Sequence, residues 1–190
     1  MILKKENIGL YFIHNPRCAG RTVHQIFDSN GFSTIINDKK VVKYKVYEIG
    51  NLKYGTNYQY LHWHYELIKT NLPKILVIRD PMERFISTEI RYGHNEFDFP
   101  YDTEDNWFRL QKDFIGDDVH IWNFKNGFKK SFCEWVSEII NYKITTPHYF
   151  EYKDDEKFRW IKKGNYSNSM IEKAKEYYQQ DYDFFSIKNI

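Results

Sequence analysis

Tyr11-Phe-Ile-His-Asn-Pro-Arg-Cys-Ala-Gly-Arg-Thr22 and Ile75-Leu-Val-Ile-Arg-Asp-Pro-Met-Glu-Arg-Phe-Ile-Ser87 decide how this chain is read. Each runs from a short apolar stretch, through a turn carrying Pro and Arg, into a helical pattern. A strand that empties into a basic loop at a helix N-terminus is an anion site, because backbone N–H groups point outward there and the helix dipole favours negative charge. Two such sites in one small chain point to a ligand with phosphate-like groups at both ends.

Around these segments the spacing predicts strands over 8–13, 33–36, 43–49, 58–62 and 74–78, and helices over 21–30, 65–70, 82–92, 131–142 and 169–180. Asn30-Gly31 is the expected stop of the first helix, and Asp80 and Pro81 the expected cap and first residue of the helix that follows the second loop. The alternation of strand and helix predicts an α/β domain around a parallel sheet, with ligands at the carboxyl ends of its strands. Residues 93–127 are polar, aromatic and aperiodic, and read as a substrate-side excursion. Residues 181–187 read as an aromatic closing segment.

The 190 residues suit a single domain spanning 1–190, and 42% hydrophobic with 19% aromatic residues excludes a disordered chain. A net charge of +2 gives no footprint for nucleic acid or a membrane surface, so anion binding must come from locally placed Arg and Lys. Cys18 and Cys133 form neither a disulfide framework nor a metal-ligand spacing; two free thiols is the plain reading, and one bridge between them stays open. No run approaches the roughly 18 apolar residues of a membrane span, and the first residues lack the apolar core of a leader. The expectation is a cytoplasmic protein.

In the first loop an ATP-binding Gly-x-x-x-x-Gly-Lys-[Ser/Thr] pattern fails twice, since Asn15 stands at the first glycine and Arg21 at the lysine. What remains is Ala19-Gly20 for close backbone approach, the Thr22 hydroxyl, and Arg17 as a fork for phosphate oxygens. The loop resembles the 5′-phosphosulfate loop of PAPS-dependent sulfotransferases, whose carbohydrate-type members usually read Pro-Lys-Thr-Ala-Gly-Thr-Ser. The matching residues are Pro16-Arg17-Cys18-Ala19-Gly20-Arg21-Thr22. The resemblance implies a three-layer, P-loop-like sulfotransferase fold, a donor side lined by residues 17–22 (Arg17, Cys18, Ala19, Gly20, Arg21, Thr22), and Arg17 in the place of the catalytic lysine. Arginine keeps that charge but cannot donate a proton.

The second loop, Arg79-Asp-Pro-x-x-Arg84-x-x-Ser87, resembles the family's 3′-phosphate motif, with the same eight-residue spacing from Arg79 to Ser87. Arg84 also matches, and a structural role, paired with Asp80 or another carboxylate, is expected of it. Thr88-Glu89-Ile90 departs from the tyrosine that often follows in the family. Residues 176–185 resemble the closing segment of carbohydrate-type members, and Thr146-Pro-His148-Tyr149 a His-aromatic element before it.

Sulfuryl transfer to an alcohol needs positioning, charge stabilisation and a base for the acceptor's proton. His62-Trp-His64-Tyr65 lies between the loops, and resembles a Gly-His-x-x-Tyr/Phe element that supplies the base. His62 takes that role in one alignment and His64 after a shift of two; half-buried strand histidines are the plain alternative. A metal pair lacks a third ligand, so no metal is expected. His14, Glu66, Glu89, His94 and His148 are further polar candidates, whereas His24 and His120 read as ordinary core or surface residues. Lys39, Lys40, Lys43 and Lys45 form a basic patch suited to an acidic acceptor or simply a solvated face. Lys157, Arg159, Lys162 and Lys163 ahead of Gly164 suit a further 3′-phosphate contact. Trp107, Trp122, Phe124 and Tyr149 suit stacking on a sugar or adenine ring, or core packing. The implied donor is 3′-phosphoadenosine 5′-phosphosulfate and the partner a hydroxyl-bearing acceptor, with a glycan favoured over a peptide or small metabolite. An ATP-using P-loop phosphotransferase and a non-catalytic nucleotide-binding relative are the rival readings.

Overall fold

A computed structural model describes residues 1–36, 39–41, 70–92, 108–147 and 167–190. Among them run β1 (Ile2–Lys5), β2 (Ile8–Ile13), α1 (Gly20–Ser29), β3 (Ser33–Ile36), β4 (Lys39–Val41), β5 (Lys74–Ile78), α2 (Pro81–Tyr92), β6 (Val119–Asn123), α3 (Lys130–Ile140) and α4 (Asn168–Lys188). The six strands make one mixed sheet in the order β4-β3-β1-β2-β5-β6. The strands expected over 43–49 and 58–62 and the helix over 65–70 lie outside the described residues, apart from Thr70.

The expected parallel sheet needs correction. The trio β2, β5 and β6 is parallel, with Phe12 opposite Ile75 and Ile75 opposite His120. The β1–β2, β1–β3 and β3–β4 pairs are antiparallel. The cause is β1, a short strand of mixed apolar and Lys residues that the sequence pattern does not single out. It turns back into β2 through Glu6, held at a left-handed φ of 50°. By lying between β2 and β3 it converts a β-α-β step into two antiparallel pairs. Likewise β6 runs through what reads as an aperiodic excursion. Its Val-His-Ile-Trp-Asn sequence is short and lies in a polar stretch, yet it pairs along its full length with β5.

Strand alternation divides the core between the two faces of the sheet. Leu10, Phe12, Ile75 and Val77 pack on one face with Val23, Ile26 and Phe27 of α1 and Phe132 and Val136 of α3. Tyr11, Ile13, Leu76 and Ile78 face the other way, against Phe114 and Phe185. Each large apolar side chain buried in this way contributes about 1.5–3 kcal/mol. A third cluster joins α2 to α4 through Phe85, Met170, Ala174 and Tyr178.

The helix ends follow their local chemistry. At the end of α1, Gly31 takes a φ of 79°, its N–H bonds to Asp28 O at 2.9 Å, and Phe32 N–H bonds to Phe27 O at 2.9 Å. This is the paired 5→2 and 6→1 closure of a Schellman end, sealed by the Phe27 and Phe32 rings, 5.1 Å apart. Asp80 caps α2 as expected, Oδ1 accepting from Glu83 N–H at 2.8 Å, with Pro81 as first residue. The closing segment is not separate: α4 continues without a break through residues 181–187. Ala174, Tyr178, Asp181 and Phe185 recur at helical spacing, so the acidic residue rides on the packed face.

Cys18 and Cys133 are both free and buried, which removes the bridge left open by the sequence. His24 lies in the core beside Phe12, with Nδ1 3.3 Å from Thr34 Oγ1. Burial pulls its pKa down to about 4. The unfolded chain therefore binds a proton between pH 6.5 and 4 that the folded chain refuses, and stability drops as pH falls through that window. At pH 5 the loss from this residue is about 2 kcal/mol. Urea unfolding at pH 7 and pH 5 should show this difference in the wild type and not in His24→Leu; equal pH slopes in both would refute it.

Candidate functional site

The parallel trio ends along one edge of the sheet, and a loop and helix follow each strand: residues 14–19 into α1, residues 79–80 into α2, and residues 124–129 into α3. The first loop is strained. Arg17 (φ 63°) and Ala19 (φ 58°) are both left-handed without being glycine, at about 1–2 kcal/mol each. Several ties offset that strain. Asn15 Nδ2–H donates to Val77 O at 3.1 Å and to Gln111 Oε1 at 2.9 Å, and Pro16 O accepts from Arg84 Nε–H at 2.9 Å. Cys18 is sealed in the core with its Sγ 3.5 Å from Gln111 Oε1. Its thiol faces inward and packs beneath the loop. Burial pushes that thiol up to about 12, against the pull of Arg84, Arg79 and Arg17.

Gly20 opens α1. A Cβ there would sit 1.8 Å from His14 Nε2, so only glycine fits beneath the imidazole. Ala19, the N-cap, offers no side-chain hydrogen bond, and the first turn carries no acidic residue. The first N–H groups of a helix have no intrahelical carbonyl to reach. Within α1 itself, no N-cap side chain and no first-turn carboxylate offsets their partial positive charge. Arg21 is exposed on this turn and Thr22 is buried in it.

The second loop meets the first. Arg17 Nε–H and Nη2–H both donate to Ser87 Oγ, at 3.0 and 2.9 Å, across 70 residues of sequence. Arg79 is almost fully buried; its Nε–H donates to Glu83 Oε2 at 3.1 Å, and its guanidinium lies 4.5 Å from the centre of the half-buried Phe124 ring. Arg17, Arg79, Ser87 and the start of α1 thus gather around the carboxyl ends of β2 and β5.

Arg84 takes a structural role, with partners other than Asp80. It is 0% exposed, and reaches the carbonyls of Pro16 and Arg109 (2.9 and 2.7 Å) rather than Asp80. Asp80 instead bonds Glu83 N–H and accepts from the Tyr182 hydroxyl at 2.8 Å.

His14 is buried beside Phe12, and His120 is exposed on β6. Trp122 is core, its Nε1–H on Gly127 O. Glu89 is buried in α2, and burial pushes its carboxyl up to about 7. His62, His64, Tyr65, Glu66, His94, Trp107, His148, Tyr149, Lys43, Lys45 and the basic residues 157–163 with Gly164 lie outside the described residues.

Sequence reasoning missed Gln111 and Asp181. Gln111 is fully buried and bonds both loops, and Asp181 accepts from the N–H groups of Gln111 (3.0 Å) and Lys112 (2.9 Å). Burial raises the Asp181 pKa, while those two N–H bonds hold it down. A charged residue on the apolar stripe of α4 is the one signal that could have flagged this partnership.

Among the described residues no group of three or more His, Cys, Asp or Glu could hold a metal ion, and no helix is long and apolar enough to cross a membrane. No protein-family model, no curated protein and no solved structure matches the chain.

The fit at Gly20 gives a direct check. Gly20→Ala should lower stability by about 1–3 kcal/mol, the cost of overpacking, since His14 has to leave its seat against Phe12. Denaturant unfolding with an unchanged midpoint would contradict the close approach.

Proposed function

We propose that this chain is a PAPS-dependent sulfotransferase, a single domain of the three-layer, P-loop-like type, moving a sulfuryl group from 3′-phosphoadenosine 5′-phosphosulfate to an acceptor hydroxyl. The observation that carries the reading is the Arg17–Ser87 contact. The two motifs that resemble the family's 5′ and 3′ loops meet around one anion-favouring helix N-terminus. Arg17, Gly20, Arg21 and Thr22, with the backbone of Ala19, serve the 5′ side, and Arg79 and Ser87 the 3′-phosphate.

In this reading the acceptor oxygen attacks sulfur, the bond from sulfur to the bridging phosphate oxygen breaks, and 3′,5′-bisphosphoadenosine leaves. Arg17 offsets the charge growing on that oxygen without giving up a proton. The acceptor's proton passes to His62 or His64, which the sequence sets between the two loops. A glycan is the favoured acceptor on motif style, and a cytoplasmic working place agrees with two free, buried thiols.

Titration calorimetry with 3′,5′-bisphosphoadenosine tests the proposal against ATP–Mg²⁺. The bisphosphate should bind and ATP–Mg²⁺ should not. Arg79→Ala should weaken binding by about 1.5–3 kcal/mol, roughly tenfold to a hundredfold. Preference for ATP–Mg²⁺ would favour the phosphotransferase, and an Arg79→Ala variant of wild-type affinity would remove the 3′-phosphate assignment. Arginine at 17 and 21, where the family has lysine and threonine, favours the non-catalytic relative as second reading. Donor turnover abolished in a His62/His64 double variant would exclude it.

A further inference from the structure

Gln111 belongs to neither anion motif, and it touches both. Its Oε1 accepts from Arg79 N–H at 3.0 Å and from Asn15 Nδ2–H at 2.9 Å, while its Nε2–H donates to Arg79 O at 2.7 Å. The side-chain amide thus pairs with the Arg79 peptide as a neighbouring strand would, just where β5 has run out. The same oxygen holds the residue two before Arg17. One buried amide therefore sets both arginine-bearing turns.

Gln111 is itself fixed from outside the site. It opens a 3-10 turn, Gln111–Phe114, whose first N–H groups are taken by Asp181 of α4, with Phe114 buried against the sheet. The Arg79 peptide, Asn15 and Cys18 leave its amide no route to solvent, so Gln111 does not touch a ligand. We infer that Gln111 is a positioning residue that holds the two anion-binding turns at a fixed separation, anchored in turn by Asp181. Its consequence for donor binding rests on the sulfotransferase reading; the geometric part does not.

Gln111→Met keeps the length of the side chain and removes every hydrogen bond that its amide makes. Two readouts are taken on the folded protein. Native-state amide exchange, followed by NMR, compares Arg79 N–H with Leu76 N–H inside β5. Calorimetry with 3′,5′-bisphosphoadenosine gives the affinity. The variant should speed exchange at Arg79 relative to Leu76 by roughly a hundredfold or more, as a local opening does. It should also cut affinity by roughly tenfold or more, the scale of a misplaced binding group. Asp181→Asn, which still offers one carbonyl oxygen, should shift both in the same direction by less. Val136→Ala, a core truncation in α3 that removes no hydrogen bond of either turn, lowers stability as a control and should move neither readout.

An unchanged Arg79-to-Leu76 ratio in Gln111→Met overturns the inference, whatever the ligand does. A raised ratio with affinity within about twofold of wild type overturns the link to the site. If the wild type itself does not bind the bisphosphate, the sulfotransferase reading falls, and the exchange ratio alone decides whether Gln111 holds the turns.

Discussion

A guanidinium removed from water costs several kcal/mol unless its donors are met, and Arg84 places two of its donors on backbone carbonyls. From the first turns of α2 it crosses to the carbonyl of Pro16 in the loop after β2, and to that of Arg109 in the segment leading to Gln111. The carbonyl of a strained loop is thereby tied to a helix on the neighbouring strand. Ser87 lies three residues further along α2 and so shares its face, which brings its hydroxyl to Arg17, the residue after Pro16. The meeting of the two loops follows from where Arg84 can satisfy itself.

Around that tie the remaining contacts divide the work. Asn15 and Gln111 fix the backbone of the two loops, Cys18 packs beneath the first of them, and Gly20 lets the His14 ring approach the start of α1 closely. The left-handed residues Arg17 and Ala19 are tolerated because these neighbours over-determine them. A chain with almost no net charge in this way gathers two arginines, one of them paired with Glu83, and a helix start with no acidic residue at one edge of its sheet.

Much of this was legible in the sequence, for local reasons. Asp80-Pro81 and Asn30-Gly31 are short-range punctuation whose geometry is settled within a few residues, and both act as their residue types predict. The apolar runs of β2 and β5 and the helices behind them are equally local. What was hidden depends on long-range partners. Ile2-Leu3-Lys4-Lys5 becomes a strand only because β2 and β3 flank it, and that insertion turns half of the sheet antiparallel. Val119–Asn123 becomes one because β5 offers an unpaired side. Arg84 was expected to pair with Asp80 or another carboxylate; it reaches the carbonyls of Pro16 and Arg109, and its charge acts on the buried Asp181, far along the chain. Gln111 and Asp181 stand 70 residues apart, with nothing in their local sequence to join them.

The account is tested most directly by a crystal structure with 3′,5′-bisphosphoadenosine bound. It predicts the 5′-phosphate on the N–H groups that open α1, within reach of Arg17, and the 3′-phosphate on Arg79 and Ser87, with Arg84 still on its two carbonyls. A nucleotide seated elsewhere on the molecule, or one whose phosphates leave either arginine turn untouched, would contradict it.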